Sequence, residues 1–177
     1  MSAGGSLKKQ FEIKTPNYKP FFDRYGESSI ERIRKNLRST GTNASGSLSR
    51  SLRKESTKTR IAVFALYYAF WQEEGRKPTK NSGDGSLQKA IRKWIDIRGI
   101  KPVLTGKETP EQIEKKKQGL AYIIARRIHI EGTLLHKLGE RRELWTNVFS
   151  NESIENLKEE MSAETVNVLS DVIRQLR

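Results

Sequence analysis

The chain contains no cysteine, and this absence removes several kinds of chemistry at once. Without thiols it has no disulfide, no cysteine-ligated zinc or iron–sulfur cluster and no thiol nucleophile. No apolar run approaches the roughly 20 residues that a membrane-spanning helix needs. The first ten residues, MSAGGSLKKQ, lack the apolar core of a secretory signal. We therefore expect an unexported protein with no membrane segment.

Acidic residues are too few to balance the basic ones. Lys and Arg number 34 against 21 Asp and Glu, which gives a net charge of +13. A surface field of this sign attracts anionic partners such as nucleic acid, phosphate-rich surfaces or acidic proteins. The charge therefore indicates the chemistry of a partner and leaves the fold undetermined.

Composition divides the chain into an arm, a core domain and a helical end. With 177 residues there is room for one domain with extensions. Residues 1–24 are rich in Gly, Ser, Lys and Pro but carry aromatic rings that such a segment cannot bury alone. We interpret them as an extended arm that docks on its own subunit or on a neighbour, with a solvated tail as the alternative. Residues 25–150 form the predicted core and residues 151–177 a C-terminal helical segment. The rings of the arm are Phe11, Tyr18, Phe21 and Phe22.

Apolar spacing predicts helices over much of the chain. Residues 27–41 and 86–99 each repeat apolar side chains at helical intervals and end at a glycine. Thr109 followed by Pro110 is typical of a helix start, and this helix is predicted to run past Gly119 to Gly132. Residues 151–177 carry the pattern of one or two further helices.

Strands are predicted only in limited regions. Dense β-branched and aromatic residues favour strands at 50–57 and 59–66, joined tightly and followed by a short helix over 68–74. A further strand is predicted around 144–149. The class is therefore α+β, a small antiparallel sheet packed with several amphipathic helices. Long polar loops are predicted near residues 76–86 and 100–110.

Catalytic and metal-binding patterns are weak. His129 and His136 lie seven apart across the predicted helix end, whereas a helical zinc pair is typically spaced by four. Glu73 and Glu74 are adjacent, so on a helix they point about 100° apart and cannot face each other across a substrate. The serines of ASGSLSRSL lack a nucleophile-elbow pattern. We therefore predict no enzymatic activity, no cofactor and no small-molecule substrate.

Positive charge is densest between Arg76 and Lys107, a segment that contains nine basic residues and only two acidic ones, both aspartates. A helix carrying Lys89, Arg92 and Lys93 could lie along phosphates, each contact adding salt-dependent affinity without reading sequence. No helix-turn-helix, zinc-finger or base-stacking pattern indicates a sequence-specific reader. For these three residues a contact with DNA, a contact with an acidic protein and a merely solvated face all stay open.

Three segments, in this order, resemble a known family. SGSLSRSLR (45–53) is similar to a TG-x-L-x-x-S turn, and YYAFWQEEGRKP (67–78) to a YA-x-[aromatic or aliphatic]-x-E-x-G segment. LAYIIARRIHIEGT (120–133) is similar to a late helix that ends in Gly-Thr. The family is that of the neck and tail-completion, or head–tail joining, proteins of long-tailed bacteriophages. The resemblance spans roughly residues 27–150.

The resemblance implies a structural virion protein without catalysis. Such a viral protein forms a ring of identical subunits at the head–tail junction, between the portal connector and the tail. It is made in the cytoplasm of the bacterial host. Its partners are further copies of itself, the neighbouring connector and tail proteins, and genomic DNA that passes through. A function of a different class, a non-specific DNA-binding accessory protein, stays open as the alternative.

The same resemblance assigns roles within the segment 67–78. Glu73 and Gly75 match the family's own Glu and Gly, with Gly75 ending a helix before an exposed interaction loop. The four aromatic rings of the segment are expected to lie mostly in the core, with the charged residues after them in a loop that binds a partner. In the alternative interpretation the rings are also core, but the charged residues are merely solvated and bind no specific partner. The rings are Tyr67, Tyr68, Phe70 and Trp71. The predicted interface combines the arm rings with Arg76, Lys77 and Lys80.

Overall fold

The computed structural model describes residues 15–79 and 83–176. Helices dominate this part of the chain, and two short strands form a hairpin between the second and third helices. The α+β class predicted from the sequence is confirmed. In chain order the elements are α1 (Lys19–Ser39), α2 (Ser47–Ser51), β1 (Arg53–Ser56), β2 (Ile61–Phe64), α3 (Ala69–Glu74), α4 (Ser86–Ile97), α5 (Pro110–Glu131), α6 (Leu134–Leu138) and α7 (Asn151–Leu176).

The main core forms around α1. This helix places apolar side chains three and seven residues apart on one face, and they are buried against α2, α3 and the segment before α7. Burying each such side chain contributes about 1.5–3 kcal/mol to the free energy of unfolding. The buried members of this core are Ile30, Ile33, Leu37, Leu48, Leu52, Ala69, Leu144 and Val148.

The start of α1 corrects two predictions. The helix begins at Lys19 instead of near residue 28, so the last six residues of the predicted extended arm are helical. Pro20 fits there because the first turn of a helix leaves its N–H groups without helical partners, and proline has none to lose. The predicted arm therefore corresponds at most to residues 1–18, of which only 15–18 are described.

The two strands pair antiparallel, as predicted, but over only four residues each, and residues 50–51 of the first predicted strand lie in α2 instead. Arg53 lies opposite Phe64 and Ser56 opposite Ile61. The backbone N–H of Thr57 donates to the carbonyl of Arg60 at 2.8 Å, which closes the tight turn between them. The hairpin packs on α1 and completes one side of the core.

The predicted strand at 144–149 is wrong. This segment forms successive tight turns, in which the N–H groups of Val148 and Phe149 both donate to the carbonyl of Trp145 at 2.9 and 3.0 Å. Leu144 and Val148 are fully buried. Because they are four residues apart, successive turns bring both side chains to the core, as a helix would. The strand was predicted because the segment is rich in residues that favour strands, and this composition was misleading here.

Helices α4 and α5 form a hairpin, called here the helical hairpin (Ser86–Glu131), that packs chiefly against itself. Ile95 of α4 and Ala121 and Ala125 of α5 are buried in its seam. Of the described residues that form the main core cluster, none belongs to α4 or α5. The start of α5 confirms the prediction, because Thr109 and Gln112 form a reciprocal capping box.

Helix α7 is a single helix of 26 residues. It is held to α1 by an ion pair of 2.8 Å between Arg24 and Glu160, and to the residue just before α1 by a hydrogen bond of 2.8 Å between the hydroxyls of Tyr18 and Thr165. Within residues 15–79 and 83–176, no helix has both the length and the apolar character needed to cross a membrane.

Candidate interaction surface

The structure brings two of the three motif segments together. The N–H of Arg76 donates to the Thr133 hydroxyl at 2.9 Å, and the N–H of Thr133 donates back to the carbonyl of Arg76 at 2.9 Å. Three residues on, the N–H of Thr79 donates to the carbonyl of His129 at 2.9 Å. The end of α5 and the loop after α3 therefore form one junction, although 57 residues separate Arg76 from Thr133.

Glu73, just before this junction, is a structural residue that holds α3 to the turn at residues 145–146. It is only 2 % exposed, and its carboxyl oxygens accept hydrogen bonds from the N–H groups of Trp145 at 3.1 Å and Thr146 at 3.2 Å. The Thr146 hydroxyl donates to the same group. Its neighbour Glu74 points outward and pairs with Arg141 at 3.1 Å. The two carboxyl groups thus have separate partners and do not face a common substrate site.

The rings before Glu73 lie mostly on the surface, which corrects the expectation that they are mostly core. Tyr67 is 76 % exposed, Phe70 72 % and Trp71 41 %, while Tyr68 alone of the four packs against the main core. Helix α3 has only six residues, and its short buried face is used by Ala69 and Glu73. Tyr67, Phe70 and Trp71, together with Arg76, are called the aromatic patch below.

Three members of the aromatic patch, Tyr67, Trp71 and Arg76, are ordered by contacts with one another. The ring of Tyr67 meets that of Trp71 edge to face, with centroids 5.5 Å apart, and the guanidinium of Arg76 lies 5.0 Å from the Trp71 centroid. Tyr, Trp and Arg are the residues most enriched where a few side chains carry most of the energy of a protein interface. Rings already held in place lose little side-chain entropy on binding, which favours a docking role.

The other predicted interface residues have different surroundings. Phe22 is buried in its own subunit beside Tyr18, and Tyr18 bonds to α7, so these two rings contact their own chain. Phe21 is half-buried under the guanidinium of Arg24, 5.0 Å from its centroid. Lys77 is exposed next to the aromatic patch. Phe11 and Lys80 lie outside the described residues.

The basic residues of α4 are not equivalent. Arg92 forms ion pairs with Glu114 of α5 and with Asp96, which lies one turn further along α4. Lys117 of α5 also pairs with Asp96, at 2.8 Å. Arg92 holds the pKa of Glu114 below its usual range, and Lys117 with Arg92 does the same for Asp96. Lys89 and Lys93 are exposed. Of the three predicted anion contacts, only these two are available to a partner.

Acid is expected to weaken the helical hairpin through this network. Because the pKa values of Asp96 and Glu114 are lowered in the folded protein, their contribution to the free energy of unfolding is fully present above their ordinary pKa of about 4, and it is lost progressively as pH falls from there through the lowered pKa of the folded state. Arg92→Met should therefore destabilise the protein at pH 6 and have a smaller effect at pH 3, as measured by urea unfolding.

Lys93→Met is the control for Arg92→Met, since it removes an exposed cation from the same helix. Lys93 has no carboxylate partner within the described part of the chain. We expect its effect to be small at both pH values. A penalty for Arg92→Met that is equal at pH 6 and pH 3 would contradict the proposed coupling.

No family model, curated protein or solved structure matches this chain. Its function has to be inferred from the surfaces and clefts themselves.

An open cleft of about 490 Å³ separates the main core from the helical hairpin. Tyr68, Gln72, Trp94, Arg98 and Arg142 line it, and none of the described residues around it is a carboxylate or a histidine. A cleft so lined offers no acid and base pair for proton transfer. Within residues 15–79 and 83–176 no group of three or more His, Asp or Glu side chains is placed to hold a metal ion.

Sequence reasoning missed the exposed apolar residues on the later helices. Their spacing is the ordinary helical one, which indicates a face but does not reveal whether the same chain covers it. The large apolar side chains exposed on α5, α6 and α7 include Tyr122, Ile123, Ile130, Leu134, Leu138, Val166, Leu169 and Ile173.

Proposed function

We propose that this protein is a structural virion protein of a tailed bacteriophage. It forms a ring at the head–tail junction, where it acts in the neck or in tail completion and connects the portal connector to the tail. It works by assembly, without catalysis and without a cofactor.

The observation that carries the proposal is the aromatic patch. A single copy of this chain leaves Tyr67 and Phe70 about three-quarters exposed next to a Trp–Arg pair. Several exposed aromatic side chains close to an Arg–Trp pair are typical of a protein–protein contact. A ring subunit must present such surfaces to its lateral neighbours and to the rings above and below it.

The position of the patch agrees with the resemblance. The segment that carries it, residues 67–78, is the same one that is similar to the family's YA-x-E-x-G segment, and its Glu and Gly are the residues that shape the local fold. Glu73 anchors α3 to the turn at 145–146, while Phe70 and Trp71 of the same helix remain exposed. This segment therefore combines a rigid support with an exposed contact surface.

The alternative, non-specific binding of DNA, draws on the net charge of +13. The ion pairs of Arg92 with two carboxylates weaken the case for a DNA contact on α4. A guanidinium that is already neutralised in this way no longer displaces counterions from DNA. The two functions also predict different interface residues, which makes them separable by matched variants.

Two double variants test the proposal. Tyr67→Ser/Phe70→Ser should keep the fold, since both rings are exposed, but should lower incorporation onto the connector and tail complex by about 100-fold or more, as expected when two anchor residues are lost. Lys89→Ser/Lys93→Ser is the matched control and should assemble normally. Incorporation is measured by electron microscopy and quantitative mass spectrometry of particles, with circular dichroism to verify folding.

DNA affinity of the same proteins separates the alternative. We expect weak binding of duplex DNA at physiological salt for the unmodified protein. Sub-micromolar affinity with a steep salt dependence, lost in Lys89→Ser/Lys93→Ser, would instead support the DNA-binding function. Full incorporation of Tyr67→Ser/Phe70→Ser would refute the role of the aromatic patch.

A further inference from the structure

The cleft between the main core and the helical hairpin carries positive charge without an acidic counterpart. Arg98, which follows α4, and Arg142, which follows α6, both line it. Neither has an ion-pair partner within residues 15–79 and 83–176. Because the described lining holds no Asp or Glu, the field inside the cleft favours an anionic ligand.

Both guanidinium groups keep donors for such a ligand. One N–H of Arg98 donates to the carbonyl of Gly41, in the loop between α1 and α2, and this bond leaves the other N–H groups of the guanidinium free to bind an anion. The backbone N–H of Arg142 donates to the carbonyl of Glu73 at 3.1 Å. The side chain of Arg142 makes no hydrogen bond to the described residues. The backbone of Arg142 is therefore fixed while its charge stays available.

The cleft continues into a second depression of about 270 Å³. Arg98 and Gly41 line both, and the second adds Arg38, which is exposed and has no ion-pair partner in the described part of the chain. No described residue around the second depression is acidic either. Three cations thus follow one continuous groove, which suits a chain of several anionic groups better than a single small anion.

Trp94 adds an aromatic ring to this groove. It lines the larger part and is 38 % exposed. Arg38, Trp94, Arg98 and Arg142 are called the basic groove below. Cations that follow a backbone, together with a ring on which bases stack, are typical of surfaces that bind single-stranded nucleic acid. Carboxylates of an acidic peptide would pair with the arginines equally well but would leave the indole without a stacking partner.

We propose that the basic groove binds an unpaired strand of nucleic acid. Its phosphates pair with Arg38, Arg98 and Arg142, and one base stacks on Trp94. The bases of a duplex are already stacked and paired, so a duplex cannot place one on the indole. Every base has a stacking face, so the binding tolerates any sequence. The inference goes beyond the proposed function and does not rest on it, since the groove shares no residue with the aromatic patch.

Fluorescence anisotropy of a labelled oligothymidine of about ten nucleotides, titrated with the full-length protein, tests this proposal. We expect a dissociation constant of about 1–100 μM at physiological salt. A duplex of the same length should bind about tenfold more weakly, because its bases cannot reach Trp94.

Two single variants should weaken this binding in different ways. Arg142→Ser loses a phosphate contact, so the affinity should fall about fivefold at about 0.1 M salt, and the slope of log K against log salt should become shallower by about 0.7. Trp94→Leu loses a stacked base, so the affinity should fall about tenfold while the slope stays the same. A general disturbance of the fold would not separate affinity from salt dependence in this way, and circular dichroism verifies folding.

Lys89→Ser/Lys93→Ser is the matched control. These two lysines lie on the same helix as Trp94 but line a different depression, together with Arg92 and Asp96. Screening by salt limits their effect on a ligand in the basic groove. The control should therefore keep the affinity for the oligothymidine within about twofold.

Four results would overturn the proposal. Undetectable binding of the oligothymidine at low salt would remove the ligand. Binding lost in Lys89→Ser/Lys93→Ser but kept in Arg142→Ser would place the contact outside the groove. Binding of deoxyadenosine monophosphate as tight as that of the oligothymidine would make a free nucleotide the ligand. Displacement of the oligothymidine by polyglutamate, with Trp94→Leu as tight as the unmodified protein, would assign the groove to an acidic protein.

Discussion

Replacing Glu73 with alanine is expected to lower the free energy of unfolding by about 3–5 kcal/mol. The substitution removes the acceptor for three donors that are partly shielded from solvent, the N–H groups of Trp145 and Thr146 and the Thr146 hydroxyl. Each buried donor left without a partner costs about 1–3 kcal/mol. The same turn carries Leu144 and Val148 into the main core, so their packing is weakened as well.

Urea unfolding followed by tryptophan fluorescence measures this loss, since Trp145 lies in the affected turn. Glu74→Ala is the matched control, because Glu74 is adjacent in sequence but makes only an exposed ion pair with Arg141. We expect the control to change stability by less than about 1 kcal/mol. Equal effects of the two substitutions would show that Glu73 does not hold the turn.

Gly75→Ala is expected to cost about 3 kcal/mol or more through backbone strain combined with steric collision. Gly75 has φ +77° and ψ 168°, a combination that is almost confined to glycine. A Cβ at this position would lie 2.5 Å from the backbone nitrogen of His136 and 2.5 Å from the Thr133 hydroxyl oxygen. The junction between α3 and the end of α5 would have to open.

Gly85→Ala separates strain from collision. Gly85 also has a positive φ, +79°, but a Cβ there would meet nothing within 4 Å. It should cost only the ordinary left-handed strain of about 1–2 kcal/mol. Thermal unfolding of both variants provides the comparison, and a Gly75→Ala protein no less stable than Gly85→Ala would contradict the close packing of the junction.

Local signals predicted the elements whose causes are local. The capping pair Thr109 and Gln112 placed the start of α5, and the apolar spacing of α4 and the glycine after α3 placed those helices. The two strands and their turn followed from β-branched residues bounded by polar ones. In each case the stabilising partners lie within about a dozen residues of one another along the chain.

Contacts between distant segments were not predictable in the same way. Nothing in the sequence around Glu73 indicates that its partners are Trp145 and Thr146, because hydrogen bonds across more than 70 residues leave no local spacing. The exposure of Tyr67 and Phe70 was missed for a related reason. Aromatic density shows that a face needs a cover, but not whether the cover comes from the same chain.

The length of the helical hairpin can change independently of the packing that stabilises the main core. Since α4 and α5 bury their apolar seam chiefly against each other, whole turns can be added to or removed from both helices while the main core keeps its packing. Each turn changes the length of the hairpin by about 5.4 Å. Insertions and deletions of whole turns before residue 129, where the junction with the loop after α3 begins, are thus a route by which evolution can change the length of the hairpin without redesigning the main core.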